Sequence, residues 1–187
     1  PQYDFGESGE HWVYAGSIGG PHYNPEQMIE IFKQISVTPK RILHLYTRGP
    51  EADRIAAMAK AENLNVRVHG YVDATALESI MATADVSLKT SDQISAKIFE
   101  CMSYGKPVVH YSGHLDDPNA YYLHKYAFGH VVRMYAENQD AEIFDLLQFL
   151  KYSIGKKVDS EELIKEFEMS TPEYSAKKII ETMERVE

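Results

Sequence analysis

The residues best suited to chemistry stand together in one stretch, residues 90–100. Asp92 and Glu100 are carboxylates eight positions apart, and Ser95 and Lys97 stand between them. Carboxylates accept hydrogen bonds from sugar hydroxyls, and a lysine ammonium offers a point charge to a phosphate. This stretch therefore favours a site for a ligand that carries both groups. The structural alternative is that Ser95 caps a helix, Lys97 is solvated and Glu100 pairs with a surface cation.

A second candidate is the glycine-rich loop of residues 16–24, which precedes a predicted helix. Backbone N–H groups at the start of a helix can bind phosphate, helped by the helix dipole. The spacing Gly16-x-x-Gly19-Gly20 matches neither the dinucleotide-binding pattern G-x-G-x-x-G nor a Walker A loop. A tight turn after a buried strand is the alternative interpretation of this loop.

Apolar runs that alternate with helical patterns indicate the elements that must position these loops. Repeated strand–helix units predict right-handed crossovers and a parallel sheet. The fold class expected is α/β: a Rossmann-like parallel sheet of about six strands, with helices on both faces and further helices at the C-terminus. The predicted strands are residues 12–15, 41–46, 66–69, 86–88, 107–111 and 130–134. Two helices are predicted from their starts: one begins at Pro25 and includes Ile35, and the other is capped by Asp73 and includes Leu77, Ile80 and Met81. The other predicted helices are 51–62, 95–104, 141–152, 161–167 and 172–186.

Ligands of such sheets bind at the carboxyl ends of the strands. That rule selects the loops 16–24, 47–50, 70–73 and 90–96. By contrast, residues 112–129 are expected to be an aromatic-rich connection, with Asp116 and Asp117 in a turn before Pro118. No Gly-, Ser- or Pro-rich linker divides the chain, which predicts a single domain over 1–187, with a tail at 1–10 and helices in 160–187.

Composition and charge exclude several classes of function. A net charge of −9 argues against nucleic-acid binding, which needs clustered cations. The single cysteine excludes an intrachain disulfide and Cys-rich zinc sites, and the eight histidines show no metal-ligand spacing, so no metal is expected. No apolar run is long enough to span a membrane. A cytoplasmic setting is expected. Because the chain begins with proline, we also expect it to be a fragment of a longer protein.

The segment 95–109 resembles the signature of GT-B fold glycosyltransferases, specifically the donor-binding C-terminal domain of family 4-like enzymes (glycosyl transferases group 1). In that family a Glu, seven residues and a second Glu precede a Gly-x-Pro-Val-Val run, so Asp92 is a departure at the first acidic position. Asp92 and Glu100 have this spacing, and Gly105 begins the run. Other landmarks follow the family order: Tyr14-Ala15-Gly16, Leu45-Tyr46-Thr47-Arg48-Gly49, Val68-His69-Gly70-Tyr71-Val72 and Leu77 through Ala84-Asp85-Val86.

The resemblance implies a role for each matching position. Glu100 would bind the ribose hydroxyls of a nucleoside diphosphate sugar, and Asp92 would stand near the donor sugar or its phosphates. Lys97 and Asp92 are the implied catalytic residues. The other implied donor-binding residues are Ser95, Gly16 and Ser17 of the diphosphate loop, Arg48, and Tyr71 and Val72 at the base.

This sequence departs from the family pattern after the first strand. Many members carry an arginine there and a lysine about five residues later, whereas this chain has Ser17 and no fixed cation before Asn24. The charge that develops on a departing diphosphate needs compensation. Lys97 and Arg48 are the available substitutes.

The resemblance thus implies a glycosyltransferase of the hexosyltransferase type. It would transfer a sugar from a nucleoside diphosphate sugar to an acceptor hydroxyl, with retention and without a metal or cofactor. The acceptor would bind to an N-terminal domain outside this sequence, and without that domain the chain would be inactive. A nucleotide-sugar 2-epimerase of the same fold and a degenerate, non-catalytic nucleotide-binding module are the alternatives. Polysaccharide or glycoconjugate biosynthesis is the expected setting, with peripheral membrane association of the full-length protein left open.

Overall fold

The structure is a computed structural model that describes residues 2–20, 23–90, 93–94, 96–170, 173–174 and 176–177. Strands and helices alternate through most of this length. The strands are β1 (Glu10–Ala15), β2 (Arg41–Tyr46), β3 (Val66–Val68), β4 (Val86–Thr90), β5 (Val108–Ser112) and β6 (Gly129–Arg133). The helices are α1 (Pro25–Ile35), α2 (Pro50–Ala61), α3 (Ala74–Thr83), α4 (Ala96–Ser103), α5 (Pro118–Leu123), α6 (Gln139–Ser153) and α7 (Ser160–Glu166), followed by a short 3₁₀ helix (Glu168–Ser170).

All strands lie in one sheet, in the order β3-β2-β1-β4-β5-β6, and every neighbouring pair is parallel. The chain builds outward from β1 to β3, then returns to the other side of β1 to begin β4. The predicted α/β class with a Rossmann-like parallel sheet is confirmed. Its switch point, where a ligand crevice opens in such sheets, lies between β1 and β4.

Alternate side chains of β1 divide the core into two layers. Trp12 and Tyr14 pack into the layer that α1, α2 and α6 cover, and Val13 packs into the layer that α3, α4 and α5 cover. Because both faces are buried, the strands are continuous apolar runs rather than alternating ones.

Helix starts follow local sequence signals at the carboxyl ends of the strands. Pro25 and Pro50 occupy the first positions of α1 and α2, where a missing N–H is harmless. The Asp73 side chain accepts a hydrogen bond of 2.8 Å from the N–H of Ala76 and caps α3, as predicted. Asn24 precedes α1, as predicted, but its side chain makes no capping hydrogen bond.

Two sequence-based expectations are wrong. Strand β4 does not end at Leu88 but continues through Lys89 to Thr90, because both of these side chains are buried. The segment expected to be a connection contains helix α5. Asp117 does not sit in a simple turn; its side chain caps α5 by accepting a hydrogen bond of 2.9 Å from the N–H of Asn119. A predicted helix over residues 172–186 lies almost wholly outside the described residues.

Residues 2–9 contain no helix or strand, yet their side chains pack on the rest of the chain. Phe5 stacks on His11 with the ring centroids 4.2 Å apart, and Glu7 bonds both Arg67 and Lys40. The N–H of Tyr3 donates to the Thr83 hydroxyl at 2.9 Å. Among the described residues, no helix is long and apolar enough to cross a membrane.

Candidate functional site

A cavity of about 220 Å³ opens at the carboxyl edge of the sheet. It lies beyond the ends of β1 and β2, and the segment after β3 closes one side. Leu77 of α3 contributes to its wall. The cavity therefore opens beside the switch point between β1 and β4, and Lys97 of α4 lines it from that side. Among the described residues its lining consists of Ala15, Gly16, Ser17, Tyr46, Thr47, Arg48, Tyr71, Val72, Leu77 and Lys97.

The loop after β1 forms one wall of this cavity. Gly16 has a φ of +146° and donates its N–H to the Tyr46 carbonyl at 3.2 Å, which links the ends of two neighbouring strands. The hydroxyl of Tyr14 donates to the carbonyl of Ser17 and ties the loop to the strand beneath it. Burial raises the pKa of the Tyr14 hydroxyl, so this group is a neutral donor.

Lys97 brings a positive charge to the glycine loop. It stands in the first turn of α4, and its ammonium donates to the carbonyl of Ala15 at 3.5 Å. A Cβ atom at Gly16 would lie 3.4 Å from that nitrogen. The absence of a side chain at Gly16 therefore lets the ammonium approach the backbone of the loop closely.

The opposite wall combines a cation, an aromatic ring and a buried hydroxyl. The guanidinium carbon of Arg48 lies 5.7 Å from the ring centroid of Tyr71, whose side chain is 77% exposed. Thr47 is buried, and its hydroxyl has no hydrogen-bond partner among the described residues. Val72 adds an apolar surface. This wall could receive a flat, polar ring system on Tyr71 and hydrogen-bonding groups at Thr47.

The structure brings together six of the nine site residues that the sequence singled out: Gly16, Ser17, Arg48, Tyr71, Val72 and Lys97. Glu100 is not among them. It lies one turn beyond Lys97 on α4, has an exposed side chain and does not line the cavity. Asp92 and Ser95 lie outside the described residues, so their roles stay predictions.

Sequence reasoning overlooked a buried hydrogen-bond network beside the 91–95 loop. His110 of β5 bonds Asp117 at 2.5 Å, and the Asn119 amide donates to Asp117 at 2.9 Å and to the Gln93 carbonyl at 3.1 Å. Burial acts to raise the pKa of Asp117, but the hydrogen bonds from His110 and Asn119 outweigh it and hold that pKa below its usual value. The network ties the loop that carries Asp92 to β5 and α5.

Sequence reasoning also overlooked Lys89, which it had placed beyond the end of a strand. Lys89 is only 6% exposed and lies in β4, and its ammonium is 5.7 Å from the ring centroid of Tyr14. The available signal was a lysine directly after the apolar run of Val86 and Leu88. Among the described residues, no group of three or more His, Cys, Asp or Glu side chains could hold a metal ion.

The sequence model of a family described as glycosyl transferases group 1 matches residues 9–121 of this chain. That match covers β1 through α5 and includes every side chain that lines the cavity. A comparison with curated protein sequences found no match.

Several solved structures resemble the fold, among them that of a glucosyltransferase domain. The catalytic domain of cholesterol-alpha-glucosyltransferase from Helicobacter pylori has a TM-score of 0.60 and 15% identity, over 88% of this chain and 100% of that one. HepE from Anabaena, solved with UDP-glucose, has a TM-score of 0.57 and 18% identity, over 78% and 41%. TarM from S. aureus, solved with UDP among its ligands, has a TM-score of 0.60 and 16% identity, over 89% and 36%.

At these identities the likeness concerns the fold alone. This chain covers 32% of the matched chain in the GtfA/B complex, and similarly small shares of HepE and TarM. It therefore spans about a third of the length of several of the structures that it resembles.

Proposed function

This chain belongs to the glycosyl transferases group 1 family, and on that premise we propose that its cavity binds a nucleoside diphosphate sugar. The sugar would be transferred from this donor to an acceptor hydroxyl. The proposal concerns the identity of the ligand, the orientation of the ligand in the cavity and the residues that act on it.

The observation that carries the proposal is the position of Lys97 over the glycine loop. An ammonium that lies 3.5 Å from the carbonyl of Ala15 gives that loop a positive charge beside the backbone of a glycine-rich turn. Those are the two features that a diphosphate needs, because it is an anion with many hydrogen-bond acceptors. Arg48 and the exposed ring of Tyr71 lie in the same cavity, at a place suited to the base.

In the reaction proposed, the bond between the anomeric carbon and the diphosphate oxygen breaks. The diphosphate leaves with the electron pair, the acceptor oxygen bonds to the anomeric carbon, and the acceptor proton is released. Lys97 would stabilise the negative charge that develops on the leaving oxygen. Electrostatic stabilisation of this kind is strongest where water is excluded. The cavity would contribute by holding the donor in one orientation.

The remaining roles concern residues outside the cavity lining. We propose that Glu100 binds the ribose hydroxyls from the exposed face of α4, and that Asp92 and Ser95 contact the donor sugar or its phosphates. The loop that carries Asp92 and Ser95 is tied at Gln93 to the network of Asp117 and Asn119. That attachment would keep the loop in place when the donor binds.

The activity of the whole protein is also a proposal, since the chain spans only part of several structures that it resembles. We propose that an acceptor-binding domain faces the carboxyl edge and that this chain alone binds donor but transfers little sugar. The setting would be the synthesis of a polysaccharide or glycoconjugate, in the cytoplasm. The structure of HepE with UDP-glucose makes the uridine series the first donor to test.

Ligand-observed NMR on this chain tests the proposal with UDP, GDP, ADP and their glucose derivatives. We expect the nucleotides of one base to bind. Lys97→Met should lower the affinity for the nucleoside diphosphate of that base at least about tenfold, because a charge-assisted contact is lost. Lys60→Met is the matched control, because Lys60 is exposed on the last turn of α2, away from the cavity.

The possible outcomes separate the proposal from its alternatives. If no series binds at millimolar concentration to the folded chain, the cavity is not a donor site and the proposal is wrong. If Lys60→Met weakens nucleotide binding as much as Lys97→Met, the weakening reflects the net charge of the chain. The position of Lys97 near the loop would then not support the proposal.

A further inference from the structure

Lys89 is a buried cation without an ion-pair partner. Lys89 is a residue of β4, a strand in which every residue is buried, and only 6% of Lys89 is exposed. Among the described residues no carboxylate lies within ion-pair distance of its ammonium. A buried charge without a counter-charge destabilises a fold, so such groups are rare unless something compensates them.

The groups that face Lys89 do not compensate its charge. Burial lowers the pKa of Lys89, Lys97 lowers it further, and Cys101 and Glu100 act in the opposite direction. Burial raises the pKa of the Cys101 thiol to about 11, so that thiol is neutral at pH 7. Glu100 is exposed and makes no ion pair with Lys89.

Contacts connect Lys89 to the cavity through one aromatic side chain. The ammonium lies 5.7 Å from the centroid of the Tyr14 ring, within the range of a cation–π interaction. The hydroxyl of that same ring donates to the carbonyl of Ser17 in the cavity wall. A Cβ at Gly16 would lie 3.8 Å from the Tyr14 hydroxyl and 3.4 Å from the Lys97 nitrogen. Lys97 thus contacts this loop directly, and Lys89 is connected to it through the side chain of Tyr14.

We propose that Lys89 is a charge-compensating residue of this site, which acts with Lys97 on the diphosphate of the donor. The proposal rests on the proposed function, since it assumes that an anion binds at the loop after β1. Lys89 would act in two ways: its charge attracts the anion from beneath the loop, and its contact with Tyr14 positions the loop through Ser17. It is a positioning residue rather than a catalytic one.

This assignment explains how the chain could lack a fixed cation between Ser17 and Asn24. The positive charge would come from beneath the loop, on β4 and α4, instead of from the loop itself. The fold accepts an uncompensated ammonium in the absence of donor, and the donor supplies the missing negative charge. Removal of Lys89 should therefore have opposite effects on donor binding and on the stability of the free protein.

The experiment compares Lys89→Met, which keeps the length of the side chain but removes its charge, with Lys97→Met and the control Lys60→Met. Affinities are measured for the nucleoside diphosphate that the unaltered chain binds and for its monophosphate, together with the melting temperature. We expect Lys89→Met to weaken diphosphate binding at least about tenfold, with a smaller loss for the monophosphate. The melting temperature of the free Lys89→Met chain should rise.

A second measurement does not depend on the folding of a variant. In the unaltered chain with ¹³C-labelled lysine, nucleoside diphosphate should raise the pKa of Lys89, because a bound anion favours the ammonium form. Equal diphosphate affinity in Lys89→Met, or an unmoved Lys89 resonance on binding, would overturn this inference while leaving the proposed function intact if Lys97→Met still loses affinity. Failure of the unaltered chain to bind any nucleotide would overturn both.

Discussion

Two buried cations lie at opposite edges of the same sheet, and only one of them has an ion-pair partner among the described residues. Arg41 begins β2 at the amino edge and is 4% exposed, and Lys89 lies near the end of β4 at the carboxyl edge and is 6% exposed. Arg41 donates to the Glu10 carboxylate at 2.7 Å and to the carbonyl of Ile35. For Lys89, the described residues supply the ring of Tyr14 and no carboxylate within ion-pair distance.

The amino edge as a whole is satisfied from within the chain. Glu10 also accepts a hydrogen bond of 2.7 Å from the Trp12 indole, and Asp85 accepts one of 2.7 Å from the N–H of His11. Arg67 makes two bonds to Glu7. At the carboxyl edge, Lys97 and Arg48 line the cavity, and Lys89 lies against the ring of Tyr14. Burial alone therefore does not distinguish Arg41 from Lys89; the difference between them is the ion-pair partner that Arg41 has among the described residues.

The largest effect expected is on the amino edge. Arg41→Met leaves Glu10 buried without its cation, and we expect the free energy of unfolding to fall by about 3–5 kcal/mol. Chemical denaturation measures this change, and Lys89→Met provides the contrast, since it should raise the stability. Arg54→Met, an exposed arginine on α2, is the control and should change the stability little. Equal destabilisation by Arg41→Met and Lys89→Met would remove the distinction between the two edges.

A smaller effect comes from three histidines between the edges. His44 bonds His11 and His69 at 2.9 Å each and is 1% exposed. Burial, together with the charges of His69, His11 and Arg67, lowers the pKa of His44 to about 3, while Glu7 acts in the opposite direction. Phe5 and Tyr46 enclose this cluster with their rings: Phe5 lies against His11 and His44, and Tyr46 stacks on His69.

The sign of the pH effect follows from this lowered pKa. Below the unfolded value of about 6.5 the unfolded chain binds a proton that the folded His44 does not, so stability is lost as the pH falls. The contribution of His44 to the free energy of unfolding should decrease by about 1.4 kcal/mol per pH unit below that value, or by about 2 kcal/mol in total at pH 5. Denaturation of the unaltered chain and of His44→Asn between pH 7 and 5 measures it. Parallel pH profiles for the two proteins would contradict the expectation.

The smallest effect on stability concerns the glycine loop. Gly16→Ala places a methyl group at a φ of +146° and 3.4 Å from the Lys97 nitrogen, so we expect a loss of about 1 kcal/mol in stability. Because the new methyl group would occupy space beside the Lys97 ammonium in the cavity wall, nucleotide binding should weaken too. Gly155→Ala, at a φ of +77° with nothing within 4 Å of the new methyl, is the control. Gly155→Ala should lose a similar amount of stability and keep its full affinity for the nucleotide. An equal loss of nucleotide affinity in both variants would show that Gly16 is not part of the binding site.

Local patterns predicted the sheet well where burial and turn signals agree. Strand β2 has the predicted bounds Arg41–Tyr46, and Asp73 caps α3 as expected. Local patterns failed where a short element depends on distant partners. Helix α5 has only six residues, and its cap Asp117 is fixed by His110 from a neighbouring strand, a contact that the local sequence does not contain.

The sequence by itself determined which loops form the candidate site. Parallel strands joined by helices bring their carboxyl ends to one edge, so the order of elements was enough to place Gly16, Arg48, Tyr71 and Lys97 together. Only the tertiary structure decided that Lys89 is buried against Tyr14 while Glu100 is exposed. The reason is physical: the exposure and partners of a side chain depend on what packs against it from other elements, and no local pattern contains that information.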